Sequence, residues 1–368
     1  MKRLALLLAC LLALPFAGRA EIVFEDVPLE SAADAPASGS DEPAVSAPDP
    51  TPAPEEGWPR EIVVTVGGDC TLGCTDSQRE SDIGFASVVA KMGYEWPFSE
   101  LARVFSQDDL TLVNFEGTLT ESNDKVDKLF NFKGPAEYTQ MLTSGSVEAV
   151  TLANNHFGDY GDQGKADTRA ALDAAGITYC APGAPAVYEV RGVKIGLVGE
   201  TFPYRDGQCD ISDDIDALRE AGCQIVIASF HWGSEYETAF TRDQRNIGRA
   251  AIRDGADVVV GHHPHIIQGI EAYENTYILY SLANLVFGGN VDPDERDTFI
   301  AQLTFTVHED GTVEGPRLAL MPMRVTSLEN NTDYRPVFAE GEERERILNT
   351  ILNRSYNMED FVNPEIGE

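Results

Sequence analysis

From Arg60 onward, short apolar runs of strand length alternate with amphipathic helical segments. The strand candidates are 61–66, 109–114, 148–153, 193–199, 224–230, 257–261 and 276–282. Apolar runs this short, bounded by polar and glycine-rich breaks, read as strands buried on both faces. Helix candidates lie between them. Residues 98–106 follow Pro97, and 164–175 end before Gly176. Residues 212–221 open on Ser212 and stop at Gly222, and 241–254 open on Thr241 and stop at Gly255. Hydroxyl residues at the start and glycine after the end are the usual helix boundaries. Such alternation builds an α/β fold. Beyond it, 299–307 and 313–325 read as an antiparallel pair turned by Glu309-Asp310-Gly311, followed by a helix over 340–353.

Residues 1–20 have the form of a removable signal peptide: Lys2 and Arg3, an apolar stretch from Leu4 to Phe16, and small residues before Glu21. Residues 21–58 are acidic and rich in proline and alanine, with no Lys or Arg. They read as a disordered linker, because they hold too little apolar surface to offset ordering. The folded domain is expected over 60–355, and 356–368 as a frayed tail. No later segment approaches the ~20 apolar residues of a membrane helix. An exported protein, periplasmic or extracellular, is expected.

The formal net charge of −34 argues against nucleic acid, whose phosphates need neutralising. It also disfavours an anionic membrane surface. An anionic substrate stays compatible, since bound cations reverse the local field. Cleavage after Ala20 leaves Cys70, Cys74, Cys180, Cys209 and Cys223. This odd number leaves at least one without an intramolecular partner. Cys209 with Cys223 and Cys70 with Cys74 are candidate bridges. Nothing in the pattern bears on self-association.

The chemistry-bearing residues gather at the ends of the apolar runs. Open α/β sheets bind ligands outside the carboxyl ends of their strands. The first run ends in Gly67-Gly68-Asp69, where a carboxylate offers a hard oxygen. The next ends in Asn114-Phe115-Glu116, and alternation sends Asn114 and Glu116 to one side. The third ends in Asn154-Asn155-His156, two amides and an imidazole that are costly to bury without partners. Asp159 follows in a glycine-rich loop, where it either orients His156 or is simply solvated. His231 ends the fifth run, with Glu235 beyond it as a candidate substrate contact. The last cluster is Gly261-His262-His263-Pro264-His265. Extended backbone would put His263 and His265 on one side, able to approach neighbouring cations, and turn His262 away into a supporting place.

Taken in order, these motifs resemble the CapA family of capsule, or poly-gamma-glutamate, biosynthesis proteins. The resemblance runs over roughly 61–290 and includes Tyr280-Ser281-Leu282-Ala283-Asn284. That family looks related to the calcineurin-like metallophosphoesterases, which implies a four-layer α/β/β/α sandwich. The resemblance implies one or two divalent metal ions, of Mn, Fe, Zn or Mg. Asp69, Glu116 and His265 would surround one. Glu116, as a bridge, with Asn155, His231 and His263 would surround the other. His156 would protonate the leaving group. Asn114, Asn154, Asp159, Glu235, His262 and Asn284 would support the ligands or touch substrate. Many calcineurin-like enzymes carry a histidine two residues past the first aspartate. Thr71 stands there in this chain, so the first position is one nitrogen ligand short. The resemblance implies an exported protein of capsule or poly-gamma-glutamate type polymer biosynthesis with a metal-dependent, phosphoesterase-like active site, and an anionic polymer or a phosphate-containing substrate as its partner. The alternatives are a phosphoesterase for small phosphate esters or cyclic nucleotides and a non-catalytic metal-containing binding module.

Overall fold

The apolar runs become strands, and their alternating side chains divide between two faces. The computed structural model describes residues 57–202 and 211–364. The expected signal peptide, the linker up to residue 56, and Cys209 lie outside the described residues. The chain forms β1 (Arg60–Thr71), β2 (Leu110–Phe115), β3 (Thr118–Leu119), β4 (Lys133–Gly134), β5 (Ala149–Thr151), β6 (Thr178–Cys180), β7 (Ala186–Val190) and β8 (Val193–Thr201). It continues with β9 (Ile225–His231), β10 (Val258–His262), β11 (Ile270–Tyr273), β12 (Thr276–Leu279), β13 (Asn284–Phe287), β14 (Asp297–Val307), β15 (Val313–Arg324) and β16 (Val337–Phe338).

The strands build two main sheets. One runs β16-β15-β14-β1-β2-β5-β6, with β13 also on β1. Within it β1, β2, β5 and β6 are parallel, and β14 and β15 are antiparallel as their turn requires. The other runs β11-β12-β10-β9-β8-β7, parallel through β12, β10, β9 and β8. β3 and β4 pair separately.

Period-two alternation explains the layering. Ile62, Val64 and Leu112 from the first sheet share one apolar cluster with Ile195, Ile227 and Val260 from the second. The opposite faces pack outward. Val113, Val150 and Ile300 join Phe85 and Val89 of helix Phe85–Met92 and Leu172 of helix Gly161–Ala175. Val226, Ala228 and Val259 join Ile215 of helix Ser212–Glu220 and Ile252 of helix Arg242–Arg253. Two sheets therefore face each other with helices on the outside, an α/β architecture. Among the described residues no helix is long and apolar enough to cross a membrane.

Helix signals held where side chains could cap. Thr241 Oγ1 accepts from Gln244 N at 3.1 Å, and Gln244 Oε1 accepts from Thr241 N at 2.8 Å, a reciprocal capping box. Gly176 ends its helix in the left-handed region at φ 72°. Other expectations shift. The capping residue before Ser212 is Ile211, with no side-chain bond. The helix expected over 98–106 splits into a turn at Trp96–Phe98 and a helix at Ala102–Phe105. Trp96 Nε1 donates to Asp333 O at 2.8 Å, anchoring the turn. Residues 356–364 are docked instead of frayed. Tyr356 N donates to Ile270 O at 2.8 Å, and the Asn363 amide exchanges two hydrogen bonds with the Leu320 backbone. Cys70 and Cys74 are buried free thiols, so the bridge between them does not form.

Candidate metal centre

The carboxyl ends of the two sheets meet, and register explains why the polar residues converge. Asp69 lies beside Asn114 in the β1–β2 pairing and beside Asn284 in the β1–β13 pairing. His231 lies beside His262 in the β9–β10 pairing. Two glycines permit the close approach. A Cβ on Gly68 would sit 2.0 Å from Ala283 O, and one on Gly261 would sit 2.2 Å from Tyr280 O. Asp69 N then donates to Ala283 O at 2.9 Å.

Amide groups brace the carboxylates. Asn114 Nδ2 donates to Asp69 Oδ1 at 2.9 Å, and Asn154 Nδ2 donates to Asn114 Oδ1 at 3.0 Å and Phe115 O at 2.7 Å. Asn154 Oδ1 accepts from His156 N at 3.0 Å. Asn284 Oδ1 lies 2.9 Å from His265 Nδ1. Asn155, exposed at the mouth, places Oδ1 2.9 Å from His231 Nε2.

Glu116 is the centre of the arrangement and is fully buried. Its Oε1 lies 3.8 Å from His156 Nε2, 3.7 Å from His231 Nε2 and 3.9 Å from His265 Nε2. These separations are too long for hydrogen bonds. For His231 and His265 they leave room for a cation about 2 Å from each ligand atom, one between Glu116 and His231 and one between Glu116 and His265. Among the described residues neither Glu116 oxygen has a hydrogen-bond partner, nor has His263 Nδ1. Orphaned buried polar atoms of this kind carry a desolvation penalty that a bound cation removes.

Among the described residues, three groups could hold a metal, each with ligand atoms within 4.8 Å of one another: Glu116, His231 and His263; Asp69, Glu116 and His265; and Glu235, His263 and His265. Their mixed oxygen and nitrogen donors suit a divalent transition ion. Two of the imidazoles are held in the neutral form. Burial pulls His231 well below the usual imidazole range, and His263 nearby reinforces it. Burial likewise lowers His263. Neutral imidazole is the form that binds metal. Burial raises the Asp69 carboxyl, but hydrogen bonding to His262 and His265 outweighs this and holds it well below its ordinary value. Burial pushes Glu116 up to about 8. Burial opposes charge on His265, yet the Glu116 and Asp69 carboxylates lift it to about 9. A proton held there offsets the negative charge that a cation would otherwise neutralise. Cys70 contributes nothing, because burial pushes its thiol far up and disfavours the thiolate.

His156 stands beside this cluster. Its Nδ1 lies 2.8 Å from Asp159 Oδ2. Asp159 is fully buried and also accepts from Phe132 N at 2.7 Å and Lys128 Nζ at 2.7 Å. The His156 ring lies 4.5 Å from that of Phe132. Burial lowers the pKa of His156, and Asp159 opposes the shift.

The sequence-derived residues all come to this one place, with two changes of geometry. The strand ends at His262, and His263 and His265 follow with φ 96° and 56°. Left-handed turns, not extended backbone, bring them together, their ring centroids 6.0 Å apart. His262 does not turn away: its Nδ1 lies 3.3 Å from Asp69 Oδ1. Lys128 was not legible. It also reaches Asn155 O at 3.0 Å and His156 Nδ1 at 3.2 Å, but it lies in a motif-free polar loop 28 positions from His156.

Comparison with known proteins bears on this geometry. Residues 63–289 match the family model described as "Bacterial capsule synthesis protein PGA_cap". The chain is 32% identical to the PGA biosynthesis protein CapA of Bacillus subtilis over 54% of its length and 59% of that protein. It is 28% identical to the capsule biosynthesis protein CapA of Bacillus anthracis, over 54% of this chain and 56% of that one. It is 27% identical to a probable polyglutamine synthesis accessory protein of Mycobacterium tuberculosis, over 74% of this chain and 80% of that one. The chain thus spans a little over half the length of the two Bacillus relatives.

Proposed function

This chain belongs to the bacterial capsule synthesis protein PGA_cap family, and from that premise and the metal centre we propose an exported, metal-dependent hydrolase of phosphoesterase type that serves anionic capsule polymer synthesis. One observation carries the metal reading: the fully buried, unpartnered Glu116 carboxylate ringed by three imidazole nitrogens at 3.7–3.9 Å. The polymer is proposed from relatives whose names refer to capsule and PGA biosynthesis.

Asp69, Glu116 and His265 would hold one cation, and Glu116, Asn155, His231 and His263 a second. A divalent ion there supplies a Lewis acid that lowers the pKa of water and stabilises charge on a phosphoryl oxygen. The protein groups do the rest. Asp159 accepts the His156 Nδ1 proton, which turns Nε2 toward the cluster. Protonated Nε2 is then set to give its proton to a leaving oxygen. Burial makes that proton easier to release. Lys128 neutralises Asp159, and Asn114 and Asn154 hold the ligand-bearing strand ends in place.

The test uses the mature chain loaded with Mn²⁺. Metal content is measured beside turnover of aryl phosphate mono- and diesters, in the wild type and in His156→Ala. Expected is stoichiometric metal in both and turnover in the wild type alone. Metal without turnover would favour a binding module. Absence of metal would end the reading. Deleting the gene and measuring surface polymer amount and chain length tests the polymer assignment separately.

A further inference from the structure

The third ligand group shares His263 and His265 with the two proposed metal positions, and its third member, Glu235, belongs to neither. Glu235 is exposed, yet its carboxylate reaches within 4.8 Å of ligand atoms on His263 and His265. It is held there by backbone. Tyr236 N donates to Pro264 O at 2.8 Å, tying the turn after β9 across the turn after β10. Tyr236, His263 and His265 all have positive φ, at 62°, 96° and 56°. Bulky residues seldom adopt that region, and clusters of them are characteristic of functional sites.

His265 restricts what this group can do. Its Nδ1 is engaged by Asn284 Oδ1 at 2.9 Å and Asp69 Oδ2 at 3.2 Å. Nε2 is therefore its free ligand atom, and it lies 3.9 Å from Glu116 Oε1. One nitrogen cannot coordinate an outer and an inner cation together. We infer that Glu235, His263 and His265 form an outer station through which a divalent cation enters and leaves, with Glu235 released as the ion moves inward to Glu116. The inference rests on the metal reading above. A station on the path changes exchange rates and leaves the final occupancy alone, whereas a resident ligand would change affinity.

Mn²⁺ uptake and chelator-driven release are followed in the mature chain, for the wild type, Glu235→Gln and Glu237→Gln. The last removes a nearby charge that belongs to none of the three groups. Expected for Glu235→Gln is unchanged stoichiometry and affinity, with uptake and release both slowed about tenfold, while Glu237→Gln exchanges at the wild-type rate. Equal slowing in both variants would mean simple electrostatic steering and overturn the station. Weaker binding in Glu235→Gln would make Glu235 a resident ligand and also overturn it. Unchanged rates would do the same. A wild type that takes up no Mn²⁺ would instead remove the metal reading, and the station with it.

Discussion

Thr71 Oγ1 donates a hydrogen bond to the backbone oxygen of Glu116 at 2.8 Å, and both residues are fully buried. The position where many calcineurin-like enzymes carry a ligating histidine here fastens the strand end that presents the central carboxylate. Thr71→Val keeps the shape and removes the hydroxyl, leaving the Glu116 carbonyl oxygen without this donor. The variant should lose about 1–2 kcal/mol of stability, read as a lower denaturation midpoint at unchanged m-value.

The proposed role of Glu116 predicts that metal adds stability. Mn²⁺ at about 100 times its Kd should stabilise the wild type by about 2.7 kcal/mol. Chelation should reverse the gain. Glu116→Gln replaces a buried carboxylate by a neutral amide. It should therefore melt at or above the metal-free wild type and gain little from Mn²⁺. Equal Mn²⁺ stabilisation of both proteins in thermal melts would contradict the central role of this carboxylate.

His156 and Asp159 predict a pH profile. A proton donor works while protonated, so turnover should fall as pH rises through the His156 pKa. Asp159 raises that pKa against the lowering by burial. Asp159→Asn should thus move the alkaline loss to lower pH and reduce the rate at neutral pH on the order of 10²-fold. A shift toward higher pH would exclude His156 as the acid.

Asp108 predicts stability against pH away from the centre. Burial pushes its carboxyl up to about 7, and its Oδ1 is buried without a partner. The unfolded value is about 3.9. Between these limits the folded state holds a proton that the unfolded state lacks, so stability falls as pH rises from about 4 to 7. Asp108→Asn should remove that slope. Its gain, on the order of a few kcal/mol, should appear in melts at pH 8 and vanish near pH 4.

Much of the site was legible because strands carry their own arithmetic. Apolar run lengths located the ends of β2, β9 and β10 to within a residue, while β1 continues past the expected end at 66 to Thr71, and alternation placed Asn114 with Glu116. Thr241 marked a helix start, and its side chain does accept from Gln244 N three residues on. Other features have no such local signal. The fate of Cys70 and Cys74 depends on how their surroundings bury them. Docking of Asn363 on Leu320 joins residues 43 positions apart.

The same division runs through the centre itself. Residue order alone settled which carboxylates and imidazoles reach the sheet edge, because buried strands must end where polar residues begin. Tertiary structure decided how they face one another. Left-handed turns at His263 and His265 replace extended backbone, pairing of β9 with β10 sets His262 beside His231, and His262 Nδ1 comes within 3.3 Å of Asp69 on β1. Lys128 finds Asp159 across a loop. These are long-range balances of burial and charge, and a periodicity of two or 3.6 residues carries no record of them.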